Sequence, residues 1–463
     1  MPVQYLTDHL ASIANKQNVL TDREELTRYC RDQSICQDHS FDILVKPGCT
    51  EEIASILKLC NTYKIPVTPR GGGTGVTGGA IPLKGGIVMS LERLNRILAV
   101  NEPDGYVIAE AGVVTADLCH RVEQSGLYFP VIPTSYHHSF IGGNVAQNSG
   151  SINSCKYGTI SKYVLNLQIV LPDGEIIWTG ASVGKNATGL NLTQLFVGSE
   201  GTLGIIAKVV LRLLKKPTHE AFLLAGFNSL SDACKAVNAI KQSNLVPSGV
   251  ELICQNALDI TSSRLQEQYP LINPAIRAHL LVQLDGHSKA ELEYSIGGIT
   301  DILKCHATEA PLMACTDAER IVLSRLRHSI GNALKSNPHG YRDIDICMPV
   351  SRLYEYIVEV ESICATYDVP LVCFGHALDG NVHAMLLAKE EITPDEQSGF
   401  NKAVNDIYLY ALGKGGVISG EHGIGLLQKQ FMKHQYSEGH LALMKGIKHL
   451  FDANSILNPG KMF

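Results

Sequence analysis

Three glycine-rich clusters in the first half of the chain most constrain what it can fold into. They span residues 69–79, 139–159 and 195–206. Glycine lets the backbone take positive φ and lets other groups approach closely, so clusters of it are typical of tight loops. Strand-like runs such as GGIVMSL, YVIAEAG and LGIIAKVVLRLL alternate with these clusters. The first half therefore predicts an α+β segment in which strands deliver the chain to glycine loops.

The first cluster, PRGGGTGVTGG, contains the GxGxxG spacing of a Rossmann dinucleotide-binding turn. A Rossmann turn must open into a helix, whereas Pro82 and the pair Gly85-Gly86 follow here and disfavour an immediate one. Successive glycines can instead form a nest of backbone N–H groups that binds an anion such as pyrophosphate, with Arg70 as a nearby charge. A tight surface turn is the alternative for a cluster taken alone.

The second and third clusters add small residues and amide side chains, and three such loops suit a long dinucleotide. In order, RGGGTG, then IGGNVAxNSG with KYG, then VGSEGTLGII resemble the FAD-binding domain of the vanillyl-alcohol-oxidase or PCMH flavoprotein superfamily. The resemblance implies an α+β fold class: a PCMH-type FAD-binding domain of two α+β subdomains, and an α+β cap domain with an antiparallel sheet that binds substrate.

The same resemblance implies which residues contact FAD. The pyrophosphate set is Arg70, Gly71, Gly72, Gly73, Thr74 and Gly75, the ribityl and isoalloxazine set is Gly142, Gly143, Asn144, Asn148, Gly150 and Ser151, and the remainder is Glu200, Gly201 and Ile205. Tyr157, Gly158 and Asn458 are further cofactor-binding residues. Some superfamily members attach FAD through a histidine, whereas the matching first loop here has Thr74 and Val76. Non-covalent FAD is therefore expected.

The composition of the chain changes after Lys216-Pro217, where glycines become fewer and amphipathic stretches become longer. We predict a FAD-binding domain over 1–217, a cap or substrate domain over 218–412, and a C-terminal segment over 413–463 that completes the active site and packs on the FAD domain. Near the start, residues 50–64 predict a helix capped by Thr50, which leads into a short strand and the first glycine cluster.

Composition excludes several classes of protein. A formal charge of −6 offers no positive field for nucleic acid, and no stretch reaches the roughly 20 apolar residues that cross a bilayer. Thirteen cysteines without a CxxC fit buried small hydrophobes better than disulfides or an iron–sulfur cluster. The N-terminus resembles neither a signal nor a transit peptide. We expect a cytoplasmic protein, with peripheral attachment to the inner face of a membrane left open.

A second chemical signal lies in the last hundred residues. GHALDGNVH places His376 and His383 around an Asp-Gly turn, and a strand–turn–strand would bring both imidazoles to one edge. SGEHGIG adds Glu421 and His422 in a glycine-rich loop. Two histidines and a carboxylate can make an open, catalytic type of metal site. Two separately satisfied histidines are the alternative, because the chain has 17 of them.

GHxGDGNxH, a loop with the pattern S-x-EHG-x-G and a terminal NPGK resemble the D-lactate, D-2-hydroxyglutarate and glycolate dehydrogenase branch of the superfamily. The resemblance implies that His376, His383 and Glu421 hold a divalent metal, zinc or manganese, which lowers the pKa of the substrate hydroxyl. His422 would then take the proton while hydride leaves for the flavin N5. Arg327 and Asn381 would bind substrate, and an exposed helix charge is the alternative for Arg327.

The substrate is predicted from two further features. The run Asp345 to Leu353 resembles D-x-C-x-P-x-S-R-L of the D-lactate dehydrogenase branch. In the hydroxyglutarate branch a lysine stands two residues before that aspartate, whereas Asp343 stands here and would repel a second carboxylate; Arg342 beside it leaves the question open. Leu378 replaces the usual glycine of the hairpin turn, which would strain the turn if that position needs positive φ.

The predicted function is oxidation of a small D-2-hydroxy acid, D-lactate first, with glycolate or D-2-hydroxyglutarate as alternatives. A quinone, a cytochrome, an electron-transfer flavoprotein or an iron–sulfur subunit would accept the electrons, and a homodimer is left open. The chain could also be the FAD-binding subunit of a larger oxidase. A serine hydrolase is a further alternative, because the segment Gly180 to Gly184 matches GxSxG, although Gly184 and Gly189 disfavour the helix that a nucleophile elbow needs.

Overall fold

The structure is a computed structural model that describes residues 2–265, 275–337, 339–389 and 394–463. The chain divides into two compact units. Unit 1 comprises Met1–Ser151, Thr159–Lys216 and Glu421–Phe463, and unit 2 comprises Ile152–Gly158 and Pro217–Gly420. The chain thus passes between units after Ser151, Gly158, Lys216 and Gly420, and residues 413–420 group with unit 2. The functional roles assigned to residues 1–217, 218–412 and 413–463 remain predictions.

Strands and helices alternate along both units. The strands are β1 Val19–Leu20, β2 Ile43–Val45, β3 Val67–Arg70, β4 Ile87–Ser90, β5 Ile97–Asn101, β6 Tyr106–Glu110, β7 Leu127–Tyr128, β8 Val164–Val170, β9 Ile176–Trp178, β10 Ile205–Arg212, β11 Leu214–Lys215, β12 His219–Phe227, β13 Gly249–Cys254, β14 Ala278–Gly286, β15 Leu312–Ala314, β16 Tyr341–Cys347, β17 Leu371–His376 and β18 Asn381–Leu387. The helices are α1 Val3–Ala14, α2 Arg23–Thr27, α3 Thr50–Tyr63, α4 Thr115–Glu123, α5 Ile141–Gln147, α6 Ser154–Tyr157, α7 Leu192–Phe196, α8 Leu230–Gln242, α9 Gln255–Leu265, α10 Lys289–Lys304, α11 Asp317–Lys335, α12 Leu353–Thr366, α13 Pro394–Gly413, α14 Met432–Gln435 and α15 Glu438–Phe451.

Unit 1 contains two principal sheets. One has four strands in the order β1-β2-β4-β3, with β4 parallel to both β2 and β3. Its central strands β2 and β4 are buried along their whole length, as expected for parallel strands covered on both faces. The other sheet has five antiparallel strands in the order β5-β6-β10-β8-β9. The strand-rich character predicted for the first half of the chain is confirmed.

The predicted helix over 50–64 is α3, whose apolar side chains Ile53, Ile56, Leu57 and Cys60 recur at helical spacing and are buried. The predicted cap was wrong by one residue. Cys49 is the N-cap, and Thr50 lies inside the helix. The Thr50 hydroxyl donates to Gln168 Oε1 on β8 at 3.0 Å, so it links the helix to the five-stranded sheet instead of capping it.

Unit 2 is built on a seven-stranded antiparallel sheet in the order β15-β12-β14-β13-β17-β18-β16. Helices α8 and α10 pack on β12 and β14, while α9 packs on β13 and β17. Helix α11 inserts Leu323, Leu326, Ile330 and Leu334 into an apolar cluster with Phe374 of β17. The four leucine and isoleucine positions follow the helical period, so one stripe of α11 is fixed against the sheet.

None of the 13 cysteines forms a disulfide in the part of the chain that the structure describes, in line with the prediction of no disulfide framework. Burial raises the pKa of Cys60, Cys119, Cys234 and Cys254 to about 12, which keeps these thiols protonated and unreactive. Cys305 and Cys315 are exposed instead. Among the helices that the structure describes, none has both the length and the apolar character needed to span a bilayer.

Candidate functional site

The first glycine cluster follows β3 and contains two kinds of glycine. A Cβ on Gly72 would lie 2.1 Å from His138 O, and one on Gly73, where φ is +71°, would lie 2.2 Å from the Arg70 guanidinium. These two positions are glycine because the protein itself fills the space. A Cβ on Gly71 or Gly75 would meet nothing closer than 3.7 Å. Packing therefore requires glycine at 72 and 73, whereas a Cβ at 71 or 75 would make only ordinary van der Waals contacts.

Arg70, the predicted charge beside the pyrophosphate, is buried under this loop. Its Nη1 donates to Arg31 O at 2.7 Å, and its guanidinium lies 5.4 Å from the centre of the Tyr29 ring. Burial lowers the pKa of Arg70, against the opposing effect of Asp32. The observed contacts tie the glycine loop to residues 28–31, and direct contact of Arg70 with FAD stays a prediction.

The second cluster forms α5 and the turn after it. A Cβ on Gly142 would lie 2.5 Å from Ala111 Cβ, whereas one on Gly143 would meet no atom within 4 Å. Asn144 Nδ2 donates to Thr115 Oγ1 at 2.7 Å, which fixes the helix to its neighbour. Asn148 ends the helix in the left-handed conformation with φ of +51°. Gly143 therefore lines an open cradle, while Gly142 is needed for close packing.

The second cluster also includes two buried residues and two residues that belong to unit 2. Gly150 and Ser151 are buried. Tyr157 and Gly158 belong to the short segment of unit 2, where the Tyr157 hydroxyl donates to Asp285 Oδ2 at 2.6 Å and Lys156 also pairs with Asp285. The contact of Tyr157 and Gly158 with FAD stays a prediction.

The third cluster places a buried carboxylate in a strained turn. Glu200 and Gly201 both have positive φ, and a Cβ on Gly201 would lie 2.5 Å from Pro69. Ile205 then begins β10. The Glu200 carboxylate accepts from Ile424 N at 2.7 Å and Gly425 N at 2.8 Å. Burial raises the pKa of Glu200 although these two amides and Lys461 favour its charged form.

Residues 421–425, which carry Glu421 and His422, pack on all three glycine clusters. Thr77 Oγ1 of the first cluster donates to His422 O at 3.2 Å. A Cβ on Gly423 would lie 2.3 Å from Gln147 Oε1 of the second cluster and 2.8 Å from Glu200 Oε1 of the third. We call this segment the EHG loop. It is fixed in unit 1 at the point where the three predicted FAD-binding loops meet.

The C-terminal tail closes the same region. Asn458 Nδ2 donates to Gly79 O at 3.0 Å and to Glu200 O at 2.8 Å, so it bridges the first and third clusters. Lys461 Nζ donates to Gly79 O and Asn458 Oδ1, and burial lowers its pKa to about 8. Sequence reasoning named Asn458 but missed Lys461, although the terminal NPGK run was the available signal.

In unit 2 the register of four strands brings four polar residues and one phenylalanine to one face of the sheet. Glu251 of β13 stands opposite His376 of β17, Phe374 of β17 stands opposite His383 of β18, and Asp345 of β16 also stands opposite His383. Residues that pair directly across strands share a face, as do residues two apart on one strand. We call this set the ionic face.

Glu251 is the centre of the ionic face, and sequence reasoning missed it. Its carboxylate is fully buried, accepts from the Arg327 Nε, and lies 2.5 Å from His376 Nδ1. Burial raises the pKa of Glu251, but His376 and Arg327 outweigh burial and hold the pKa at about 2. A lone acid inside the apolar run GVELIC was the signal that could have revealed it, because a charge in a buried strand needs a partner.

Arg327 is buried, so the alternative of an exposed helix charge is wrong. It lies on α11, and its guanidinium carbon is 4.8 Å from the centre of the Phe374 ring. Stacking on the ring and the bond from Nε to Glu251 fix the plane of the guanidinium. The four N–H groups of Nη1 and Nη2 are then the donors that a planar carboxylate would meet.

The predicted strand–turn–strand is confirmed as the β17–β18 hairpin, and the rings of His376 and His383 have centroids 5.7 Å apart. Leu378 is absent from the residues with positive φ, so the strain expected there does not arise. Gly380 takes positive φ instead, and a Cβ on it would lie 1.9 Å from Met348 O. The turn therefore requires a glycine at 380 and tolerates leucine at 378.

Asp345 of β16 bonds to residues from two other segments of unit 2. Its carboxylate accepts from Asn381 Nδ2 at 2.7 Å and from Ser419 Oγ at 2.9 Å, and its backbone carbonyl accepts from Gly420 N at 3.2 Å. Asn381 Nδ2 also donates to Ile346 O at 3.0 Å. Both amide hydrogens of Asn381 are thus donated within the protein, and Oδ1 is the atom that a substrate hydroxyl could approach.

The serine-hydrolase alternative lacks its required geometry. Ser182 lies in a run of bends, and the next described helix, α7, begins only at Leu192. A nucleophile elbow needs a helix directly after the serine.

Two protein-family models match this chain. Residues 41–180 match the family model described as "FAD binding domain", and residues 216–462 match "FAD linked oxidases, C-terminal domain". Glycolate oxidase subunit GlcD of Bacillus subtilis (strain 168) is 34% identical over 423 residues, which cover 91% of this chain and 89% of that protein. A D-lactate dehydrogenase of Anaerostipes hadrus is 34% identical over 428 residues, covering 91% and 89%.

Among solved structures, p-cresol methylhydroxylase with substrate bound has a TM-score of 0.82 and 16% identity, and the match covers 99% of this chain and 96% of that one. At this identity the likeness concerns the fold alone, and it confirms the predicted PCMH-type fold class. The two family models together confirm the predicted flavoprotein resemblance. The chain belongs to the family of FAD-linked oxidases and is a FAD-dependent oxidoreductase.

Proposed function

We propose that this protein oxidises D-lactate, as a representative small D-2-hydroxy acid, to the 2-oxo acid. One observation carries the proposal: the EHG loop, which bears the candidate base His422, packs on residues of all three glycine clusters in unit 1. A base carried by the loops that hold FAD is well placed to take a proton from a substrate that reacts with the flavin. The relatives named as a D-lactate dehydrogenase and a glycolate oxidase subunit support the same substrate class.

FAD would be held by the open sides of the glycine clusters. A Cβ on Gly143 would meet no atom within 4 Å, so the space above it is a cradle that a side chain would fill, and the residues present fit a dinucleotide. When bound, FAD supplies the hydride acceptor at N5. The first loop offers Thr74 and Val76 where some superfamily members carry a histidine, so we propose non-covalent binding.

The donor set of His376, His383 and Glu421 fits a divalent ion, zinc or manganese, with one position open for substrate. His376 turns Nδ1 towards Glu251, so Nε2 would be the atom left to coordinate the ion. Glu421 is covalently joined to Gly420, whose amide donates to Asp345 on the ionic face. The ion would supply Lewis-acid polarisation of the 2-hydroxyl. In this scheme His422 takes the hydroxyl proton, while Arg327 and Asn381 orient the carboxylate and the hydroxyl.

The charges of the ionic face favour a monocarboxylate. Asp343 lies on the same face as His383, with Asp343 Oδ1 3.6 Å from His383 Nδ1. Arg342 is on the opposite face, because strand residues alternate. A second substrate carboxylate near β16 would therefore meet an acid, which argues for D-lactate or glycolate over D-2-hydroxyglutarate. Reoxidation requires a quinone, a cytochrome, an electron-transfer flavoprotein or an iron–sulfur subunit; we propose a cytoplasmic location, with peripheral membrane attachment and a homodimer as the assemblies to test.

An anaerobic absorbance scan tests the proposal. The purified protein is mixed in separate cuvettes with D-lactate, L-lactate, glycolate and D-2-hydroxyglutarate, and the flavin bands are followed. We expect D-lactate to bleach them fastest. Fastest bleaching by another acid would replace the substrate, and a yellow protein that none of the acids reduces would favour a non-catalytic FAD-binding subunit.

Removal of the metal is the second test. Treatment with a strong chelator should abolish flavin reduction by D-lactate while the protein stays yellow, and an added divalent ion should restore the rate. Dithionite, which reduces flavin without substrate, is the control for an intact cofactor. Full reduction by D-lactate in protein shown to be free of metal would remove His376, His383 and Glu421 from the proposed reaction.

A further inference from the structure

We propose that Glu251 is a positioning residue that fixes both the metal ligand His376 and the carboxylate-binding Arg327. The inference rests on the proposed function and deepens it, because it explains how one buried carboxylate sets the geometry of two binding elements. Glu251 contacts both side chains directly, and no predicted site residue has this role.

The first support is the register of the sheet. Glu251 and His376 are direct cross-strand partners on β13 and β17, and Phe374, two residues before His376, shares their face. Cross-strand partners have Cβ atoms roughly 5 Å apart, so the backbone alone holds the carboxylate beside the imidazole. Glu251 does not need to reach for His376, and its side chain loses little freedom when the two bond.

The second support is the choice of ring nitrogen. In a neutral imidazole one nitrogen donates and the other holds the lone pair that binds a metal. Because Glu251 accepts from Nδ1, the proton is placed there and Nε2 becomes the ligand atom. A carboxylate behind a metal-bound histidine fixes the ring orientation and strengthens the ligand, and loss of such a partner weakens metal binding about 10- to 100-fold.

The third support is the orientation of Arg327. Its Nε donates to Glu251, and its planar group lies over Phe374. These two contacts hold the guanidinium from the side and from one face, so the Nη1 and Nη2 fork keeps one direction. A fork that is fixed before substrate arrives loses less entropy when it binds a carboxylate. Glu251 thereby couples the direction of the fork to the position of the metal ligand.

Burial strengthens the inference. Side-chain exposure is 0% for Glu251, 4% for Arg327 and 7% for His376. A charge buried in the middle of an apolar strand is costly unless partners compensate it, and an apolar residue would serve packing alone at least as well. The arrangement is therefore better explained by positioning than by stability.

The test compares Glu251→Gln with the wild type and with Glu361→Gln. Glu361 is an exposed acid on α12 of the same unit that has no role in the proposed site. Each FAD-loaded protein is stripped of metal, and the dissociation constant for zinc is measured by competition with a chromophoric chelator. We expect Glu251→Gln to bind zinc about 10- to 100-fold more weakly. We expect Glu361→Gln to match the wild type.

The possible outcomes separate this inference from the proposed function. Tight zinc binding by both the wild type and Glu251→Gln would overturn the positioning role and leave the proposed function intact. A wild type that binds no divalent ion would overturn the proposed metal site and the inference together. Equal weakening in Glu361→Gln would show a general effect of removing acids from unit 2, which also overturns the inference.

The arginine half of the inference has its own readout. Glu251→Gln should raise the KM for D-lactate, and the double variant with Arg327→Met should raise it no further than Arg327→Met alone, because both changes remove the same oriented fork. Fully additive effects on KM would show that Glu251 does not act through Arg327.

A measurement on the wild type covers the case in which Glu251→Gln does not fold. Nitrogen-15 NMR of labelled, zinc-loaded protein reports which ring nitrogen of His376 carries the proton and which binds the metal through its lone pair, with the signal assigned by its loss in His376→Gln. The inference expects Nδ1 to be protonated and Nε2 to hold the lone pair. The opposite tautomer would overturn it.

Discussion

Each unit buries a carboxylate beside its candidate site, and the two carboxylates are held in opposite ways. Glu200 in unit 1 accepts from the backbone amides of Ile424 and Gly425, and burial raises its pKa. Glu251 in unit 2 faces the side chains of His376 and Arg327, and its pKa is held at about 2 despite burial. The two amides and Lys461 do not offset the loss of water around the Glu200 carboxylate, whereas direct bonds with Arg327 and His376 do so for Glu251.

The same contrast runs through the two regions as a whole. The region around Glu200 is rich in glycines, and the EHG loop is held there through its own main-chain atoms, which bond to the side chains of Thr77 and Glu200. The ionic face is made of side chains that four strands and α11 bring together. A backbone-built region suits a cofactor that must be held, and a region of charged side chains suits a substrate that must be polarised. Three variants test this division, in order of expected effect.

His422→Ala is expected to have the largest effect, because His422 is the one proposed base in the backbone-built region. Its removal should slow anaerobic flavin reduction by D-lactate roughly 100- to 10,000-fold, as for loss of a positioned base. The flavin content should stay at the wild-type level, because Thr77 holds the loop through the carbonyl of His422, which the substitution retains. Stopped-flow absorbance at the flavin band measures the rate.

The control for this variant is His449→Ala, an exposed histidine of α15 in the same unit. It should reduce at the wild-type rate. Near-normal reduction by His422→Ala would remove the base from unit 1 and break the division of roles at its strongest point.

Gly143→Leu should weaken FAD binding by about tenfold or more, since a side chain would enter the open cradle and displace contacts worth at least about 1.4 kcal/mol. The apoprotein should stay folded, because a residue with a Cβ at this helix position is favoured over glycine by about 0.5–1 kcal/mol. Titration of apoprotein with FAD, followed by quenching of flavin fluorescence, gives the dissociation constant.

The neighbouring Gly142→Ala is the matched control with the opposite expectation. Its Cβ would lie 2.5 Å from Ala111 Cβ, so it should lower the free energy of unfolding by about 1–3 kcal/mol through overpacking. Unchanged FAD affinity in Gly143→Leu would show that the open space above residue 143 is not the cradle.

Glu200→Gln is expected to have the smallest effect, about 1 kcal/mol of unfolding free energy at neutral pH, because one backbone N–H loses its acceptor. The pH dependence has a definite sign. The folded pKa of Glu200 lies above the unfolded value of 4.5, so its stabilising proton is lost as pH rises through the folded pKa. The stability gap between wild type and variant should therefore narrow as pH rises from about 4.5. Urea denaturation midpoints at several pH values measure this gap.

The exposed Glu102 provides the control variant Glu102→Gln. The difference in stability between this variant and the wild type should not narrow as pH rises. A gap for Glu200→Gln that widens with pH would mean that the two amides do stabilise the charged form. The contrast between Glu200 and Glu251 would then disappear.

Much of the fold and part of the candidate site could be predicted from sequence. The glycine clusters, the strand-rich first half, helix α3 and the β17–β18 hairpin are local features in which neighbouring residues carry the whole signal. The helix cap at Thr50 was predicted wrongly, because a hydroxyl that can cap a helix can equally bond another element, here Gln168. Strain at Leu378 was expected if that position needs positive φ, and it was not found, because Gly380 takes the positive φ of the turn instead.

The sequence by itself determined the flavoprotein family, the glycine loops and the two histidines, because each is a short, contiguous pattern of residue types. Only the tertiary structure decided that Glu251 meets Arg327 and His376, which lie 76 and 125 residues further along the chain. It also decided that the EHG loop packs on all three glycine clusters, and which glycines face open space. The physical reason is that these facts depend on strand register and on the burial of charges, which are set by partners far apart in sequence.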